Sequence, residues 1–365
     1  MKRRALLKWL GLGGAASLAG GTAYAVSRNG DNPYYQGPPS DHFDGRVFFN
    51  PDGVPPRQFA DFLRWQFGGG RARWPGEWPS PHPPARPEAS VDGQGLRATM
   101  VGHATLLIQT GGLSILTDPV WSLRASPFSL VGPKRVNPPG IDFDDLPPVD
   151  AVLLSHNHYD HLDLGTLRRL KEKHDPLVVT PLGNDAIIRD AVPDMRIHAG
   201  DWGDRVTLSN AAGSLDVHIE PAHHWSARGT GDRRMALWAA FVLSGPAGKV
   251  YIAGDTGFHR GINFRAAAER HGRFRLAVLP IGAYEPRWFM EPQHQNPEEA
   301  VEAMRLLGAE HAAGCHWGTF HLTNEAIEEP RDRLFAALDT AGMPRQRFRP
   351  LLPGEVWDVP QTSEA

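Results

Sequence analysis

Four potential metal ligands fall within the run Ser155-His156-Asn157-His158-Tyr159-Asp160-His161, directly behind the apolar stretch Ala151-Val152-Leu153-Leu154. Imidazole and carboxylate together suit Zn²⁺ or another borderline divalent ion, and the run offers no thiol. His156 and His158 alternate, so an extended backbone points both rings the same way. Asp160 and His161 fall past the turn and can face a second ion. Three more candidates stand at the ends of predicted strands. They are a histidine in Glu220-Pro221-Ala222-His223-His224, a carboxylate in Gly254-Asp255-Thr256-Gly257, and His316 behind the apolar run that starts at His311. Spacing alone leaves His223 and His224 open. A lone strand-end histidine is weak evidence, but four ligand groups that all stand at strand ends are strong together.

The elements that must hold these residues can be read from periodicity. Ala151 to Leu154 has the length of a buried strand, and Leu164 to Lys173 has the pattern of a helix, so the histidine run lies on a strand-to-helix loop. Loops at the carboxyl edge of a sheet are where open α/β folds place their sites. Short strands continue through Ala98 to Thr117, Leu177 to Thr180, Arg205 to Glu220, Ala236 to Ala253 and Ala277 to Pro280. Helical stretches follow at Asn263 to His271, Pro297 to Leu307 and Asn324 to Ala341. This order predicts two packed sheets with helices on both outer faces.

Composition narrows the class. With 41% hydrophobic residues in a 365-residue chain, a large core is available. The formal net charge of −3 gives no basic footprint for nucleic acid. The one cysteine, Cys315, excludes an internal disulfide and a cysteine-ligated zinc site. Residues 1–25 read as a twin-arginine signal peptide: Arg3-Arg4 followed by Leu6-Leu7-Lys8, a glycine- and alanine-rich stretch, and Ala23-Tyr24-Ala25 as a small-x-small cleavage site. The expectation is a periplasmic protein, associated with the membrane if the segment is retained. Residues 26–95 form an arm rich in proline and tryptophan. Its aromatic residues, among them Trp65, Trp74 and Trp78, are expected to pack on the core, with some lining an apolar entrance. Residues 96–360 are expected to form the main domain that carries the candidate ligands.

The order His156-x-His158-x-Asp160-His161, then His224, Asp255 and His316, resembles the metallo-β-lactamase superfamily. Closer motifs resemble the N-acyl-phosphatidylethanolamine-hydrolysing phospholipase D family. These are Gly102-His103-Ala104-Thr105, Thr117-Asp118-Pro119, Gly132-Pro133-Lys134-Arg135, Pro280-Ile281-Gly282-Ala283-Tyr284-Glu285-Pro286-Arg287-Trp288-Phe289-Met290 and His316-Trp317-Gly318-Thr319-Phe320. The resemblance implies an αββα four-layer sandwich and two Zn²⁺ per chain. One ion would sit on His156, His158 and His224, and the other on Asp160, His161 and His316, with Asp255 bridging. It also settles the His223/His224 choice, because the family's histidine-tryptophan pair matches His224-Trp225. The implied reaction is phosphodiester hydrolysis of phospholipase D type. A metal-bridging hydroxide attacks phosphorus, and N-acyl-phosphatidylethanolamine yields N-acylethanolamine and phosphatidic acid.

Beside its ligand role, Asp160 is a candidate for orienting that hydroxide. His321 and His103 are candidates for leaving-group protonation or for orienting ligands, and Lys134 and Arg135 for meeting a phosphate. The expected partners are a phospholipid or other phosphodiester and a membrane surface. A homodimer is compatible with the family. The alternative is another metal-dependent hydrolase of the same fold, a lactonase or a phosphodiesterase acting on soluble molecules.

Overall fold

The computed structural model describes residues 31–361, so the proposed leader lies outside the described residues. It has two seven-stranded sheets, ordered β14-β1-β2-β3-β4-β5-β6 and β13-β12-β11-β10-β9-β8-β7. In the first, β1 (Leu96–Gly102), β2 (Thr105–Thr110) and β3 (Leu113–Thr117) form an antiparallel meander. The strands β4 (Ala151–Leu153), β5 (Leu177–Pro181) and β6 (Arg196–Gly200) follow in parallel, and β14 (Val356–Asp358) closes the edge. In the second, β7 (Arg205–Ser209), β8 (Ser214–Glu220), β9 (Ala240–Gly245) and β10 (Gly248–Ile252) are antiparallel. They are joined by the parallel β11 (Leu276–Pro280), β12 (His311–Cys315) and β13 (Phe348–Pro350).

Strand alternation explains how the layers stack. Leu106, Ile108, Ile115, Phe241, Leu243, Val250, Ile252 and Val278 meet between the sheets. Their neighbours Leu107 and Leu116 point the other way, under α2 (Leu164–Lys173) and α3 (Asn184–Ala191). On the second sheet, Val242, Tyr251, Ala277 and Leu279 point outward under α4 (Ile262–His271), α6 (Pro297–Leu306) and α7 (Glu329–Thr340). Strands buried on both faces read as continuous apolar runs. The fold is an αββα sandwich.

Two helix starts fix the loops that matter. Asp163 caps α2 by accepting from the Gly165 and Thr166 amides, and it also accepts from the Ser122 amide. The loop that carries His156 to His161 is therefore pinned immediately past its last ligand. Asn296 and Glu299 form a capping box on α6, with Pro297 at its first position. That stop leaves the short segment between α5 (Arg287–Met290) and α6 free to face the site.

The arm runs over the second sheet and its edge. Phe43 and Phe48 are fully buried in the cluster that holds Trp238. Trp65 and Trp74 donate to Asn324 Oδ1 and the Glu325 carbonyl. Trp238 is 1% exposed and donates to the Asn50 side chain and the Ala222 carbonyl, tying the arm to the loop before His223. Trp238→Ala removes that packing and leaves two acceptors unmet. A loss of about 3–5 kcal/mol in urea unfolding is expected. A loss under about 1 kcal/mol would mean the arm does not lock the sheet.

Candidate metal centre

Every ligand expected from the sequence arrives at one edge of the two sheets. His156 to His161 follow β4, His224 follows β8, Asp255 follows β10 and His316 follows β12. The donors fall into overlapping groups, within each of which one ligand atom per residue lies within 4.8 Å of the others: His156, His158 and His224; His103, Asp160, His161 and His316; His156, His161 and Asp255; His224, Asp255 and His294. Asp255 stands at the centre. Its Oδ2 is 3.2 Å from His161 Nε2, 3.2 Å from His316 Nε2, 3.8 Å from His224 Nε2 and 3.9 Å from His156 Nε2. Asp160 Oδ2 lies 3.0 Å from His103 Nε2 and 3.3 Å from His316 Nε2.

The backbone is held hard here. His103, Asp118 and His316 all have positive φ, a conformation that costs energy in residues with a side chain and clusters at functional sites. Gly254 also has positive φ, and a Cβ there would lie 2.7 Å from Ser155 Cβ, so the loops of β4 and β10 meet only because it is glycine.

Three observations test the fit to metal. His156 Nε2 and His224 Nε2 point at His158 Nδ1 at 2.8 and 3.3 Å, with no acidic group between them. His161 Nε2 and His294 Nδ1, at 3.2 and 3.9 Å from Asp255 Oδ2, are buried without a hydrogen-bond partner. Buried polar atoms of native proteins are normally satisfied, and a converging set of unsatisfied ligand atoms is what an ion would complete. The opposite nitrogens are already engaged: His161 Nδ1 with Asp118 Oδ2 at 2.8 Å, and His224 Nδ1 with the Gln293 carbonyl at 2.9 Å. Such outer contacts fix the tautomer and orient the ring toward a metal.

The electrostatics agree. Burial, with neighbouring imidazoles, holds His158 at about 3, and His156 well below its ordinary value. Burial also takes His224 and His294 to about 3. Asp160 and Asp255 stay ionised: burial opposes this, but the imidazoles around them hold both well below the usual carboxylate range. For His316, burial is outweighed by Asp255 and Asp160, which raise it to about 9. His161 is raised in the same way by Asp255, Asp160 and Asp118. Protons on these two rings thus balance the carboxylates, and a cation would displace them. Metal affinity is therefore expected to rise with pH up to about 9 and to fall below neutrality, with protons released on binding. Titration calorimetry in buffers of different ionisation enthalpy measures this; zero proton release at neutral pH would contradict it.

His223 turns away from the cluster, with Nδ1–H donating to the Pro292 carbonyl and the ring stacking on His259. His321 is not brought to the cluster: its ring stacks on Trp74 at 4.9 Å. Lys134 is exposed, and Arg135 is buried with Nη2 donating to the Val120 carbonyl. Two participants escaped the sequence reading. His294 sits between two helices with no strand ahead of it, so a search of strand ends passes over it. Asp118 lay in plain view in Thr117-Asp118-Pro119, but its partners Ser155 and His161 are 37 and 43 positions away.

A profile described as the beta-lactamase superfamily domain matches residues 114–317. The chain belongs to the metallo-β-lactamase superfamily. Within it, this member is related to N-acyl-phosphatidylethanolamine-hydrolyzing phospholipase D 1 of Caenorhabditis elegans. The two are 38% identical over 274 residues, 73% of this chain and 76% of that protein. The mitochondrial N-acyl-phosphatidylethanolamine-hydrolyzing phospholipase D of Saccharomyces cerevisiae is 34% identical over 258 residues, covering 70% of this chain and 54% of its own. Among solved structures, isothiocyanate hydrolase from Delia radicum gut bacteria superposes with a TM-score of 0.56 at 20% identity, over 72% of this chain and 99% of that one; this likeness concerns the fold alone. The superfamily member described here is a metal-dependent hydrolase.

Proposed function

We propose that this enzyme is a zinc-dependent phosphodiesterase of phospholipase D type, cleaving N-acyl-phosphatidylethanolamine to N-acylethanolamine and phosphatidic acid. The observation that carries the reading is the double donor set around Asp255, combined with 38% identity to a phospholipase named for that substrate. His156, His158 and His224 would hold one ion, and Asp160, His161 and His316 the other, with Asp255 shared. Bound divalent ions supply Lewis acidity and lower the pKa of water, which suits in-line displacement at phosphorus. The chain's own groups do the positioning. Asp160 is held by His103 and His316 on one carboxylate oxygen, so its direction is fixed before substrate arrives. His294, neutral and reaching toward Asp255 at 3.9 Å, can hold a proton at Nδ1 close to where charge changes.

Purified enzyme offered N-acyl-phosphatidylethanolamine beside lactones and soluble phosphodiesters tests the substrate. Release of N-acylethanolamine and phosphatidic acid, lost on chelation and restored by Zn²⁺, is the expected result. Faster turnover of the soluble esters would overturn the lipid assignment and favour a soluble-substrate hydrolase of the same fold. Export through the twin-arginine route belongs to the same proposal and rests on Arg3-Arg4 and the residues after them. Among the described residues no helix is long and apolar enough to cross a membrane.

A further inference from the structure

The donor group of His156, His158 and His224 is drawn from two limbs of the chain that lie on different sheets. His156 and His158 stand on the loop after β4, and His224 on the loop after β8. Arg228 crosses between these limbs. It lies four residues beyond His224, and its Nη1 donates to the Asn157 carbonyl at 3.1 Å and to the Leu162 carbonyl at 2.7 Å. Those two carbonyls flank the segment that carries His158, Asp160 and His161, so one guanidinium nitrogen gathers the base of the ligand loop. The guanidinium carbon also lies 3.8 Å over the ring of Tyr159, inside the same loop.

The surroundings of Arg228 hold it in this pose. Burial lowers its pKa, against Tyr159 and Asp232, which raise it. A desolvated cation needs its donors met, and two carbonyls and an aromatic face meet them here. The Asp232 carboxylate accepts from the Arg228 and Gly229 amides and from the Tyr34 hydroxyl, which sets the turn that presents the arginine. Further along, Arg233 donates to the Arg57 carbonyl just before α1 (Phe59–Phe67) and lies 4.5 Å over the Trp225 ring. Asn157 is fully buried, yet neither polar atom of its side chain has a hydrogen-bond partner. At that residue the loop is held through its carbonyl.

The two donor groups depend on Arg228 unequally. His161 is oriented by Asp118, and Asp160 by His103 and His316, none of them on the β8 limb. His158 has no such anchor. Its Nδ1 faces His156 and His224, while its outer nitrogen, Nε2, is buried without a hydrogen-bond partner. Its ring is placed by the backbone and by the Trp225 ring at 4.6 Å. We propose that Arg228 is a positioning residue for the ion of His156, His158 and His224. It sets the reach between the two limbs, while the group of Asp160, His161 and His316 keeps its geometry without it. The proposal rests on the two-ion reading of the cluster.

Zinc binding to the full chain, resolved by competition with a chromophoric chelator, tests this. In Arg228→Met one ion is expected to bind about 10- to 100-fold more weakly, with the other at its wild-type affinity. The cobalt-loaded variant is expected to show an altered visible spectrum at saturation, which a loss of stability alone would leave unchanged. Arg228→Lys keeps the charge and can still donate to both carbonyls, so it is expected to bind the weakened ion more tightly than Arg228→Met does. Arg228→Gln is a smaller change with the same expectation as Arg228→Met, and it carries the test if the methionine variant does not fold. Wild-type affinity for both ions, or equal weakening of both, would overturn the assignment of Arg228 alone. A wild-type chain that takes up fewer than two ions would overturn the two-ion reading, and the selective role of Arg228 with it.

Discussion

Asp255→Asn is expected to reduce hydrolysis by more than about 10²-fold, roughly 3 kcal/mol or more of transition-state stabilisation, and to lower bound metal per chain. The reason is geometric. One buried oxygen, Asp255 Oδ2, lies within 4 Å of ligand nitrogens from His156, His161, His224, His294 and His316. An amide keeps the shape but removes the negative charge that both donor groups share, so neither ion would retain its full set. His156→Ala is expected to act in the same direction, because it removes a ring from the group with His158 and His224 and from the group with His161 and Asp255. Metal analysis beside steady-state kinetics checks both. Full activity with undiminished metal in either variant would refute the shared-ligand assignment.

The second large effect is expected at Asp118, which touches no substrate. Its Oδ1 accepts from the Ser155 amide, and its Oδ2 accepts from the Ser155 hydroxyl and faces His161 Nδ1 at 2.8 Å. An ionised carboxylate can only accept, so it fixes the His161 proton on Nδ1 and leaves the Nε2 lone pair toward Asp255 and the metal. In Asp118→Asn, an amide group that keeps its oxygen on the Ser155 amide presents N–H to His161. The imidazole then answers by moving its proton to Nε2, where the ion would bind. A loss of about 10- to 100-fold in metal affinity or activity is expected, with the fold intact by circular dichroism. A variant with wild-type metal affinity would show that the His161 tautomer is set elsewhere.

These two predictions differ in how far they could be seen in advance. Asp255 is legible because Gly254-Asp255-Thr256-Gly257 ends an apolar run, and a strand end fixes a carboxylate's position to within a residue. The histidine run is legible for the same reason, and the order of strands and helices along the chain makes the paired sheets readable. Asp118 is different, since its role is defined by Ser155 and His161, whose contacts depend on β3 and β4 lying side by side in parallel. The short strand β6 and the helix α3 also escaped the pattern. Arg196–Gly200 is half polar at the sheet edge, and Asn184–Ala191 offers few apolar positions.

The sequence by itself determined the ligand types, their order along the chain and the strands that end at them, because local periodicity and residue chemistry carry that information. Only the tertiary structure decided which nitrogen faces which oxygen, that His103 and His294 join the cluster, and that His321 turns instead to Trp74. Those choices depend on loop closures across residues far apart in the chain, where packing between the two sheets, rather than any local preference, sets the distances.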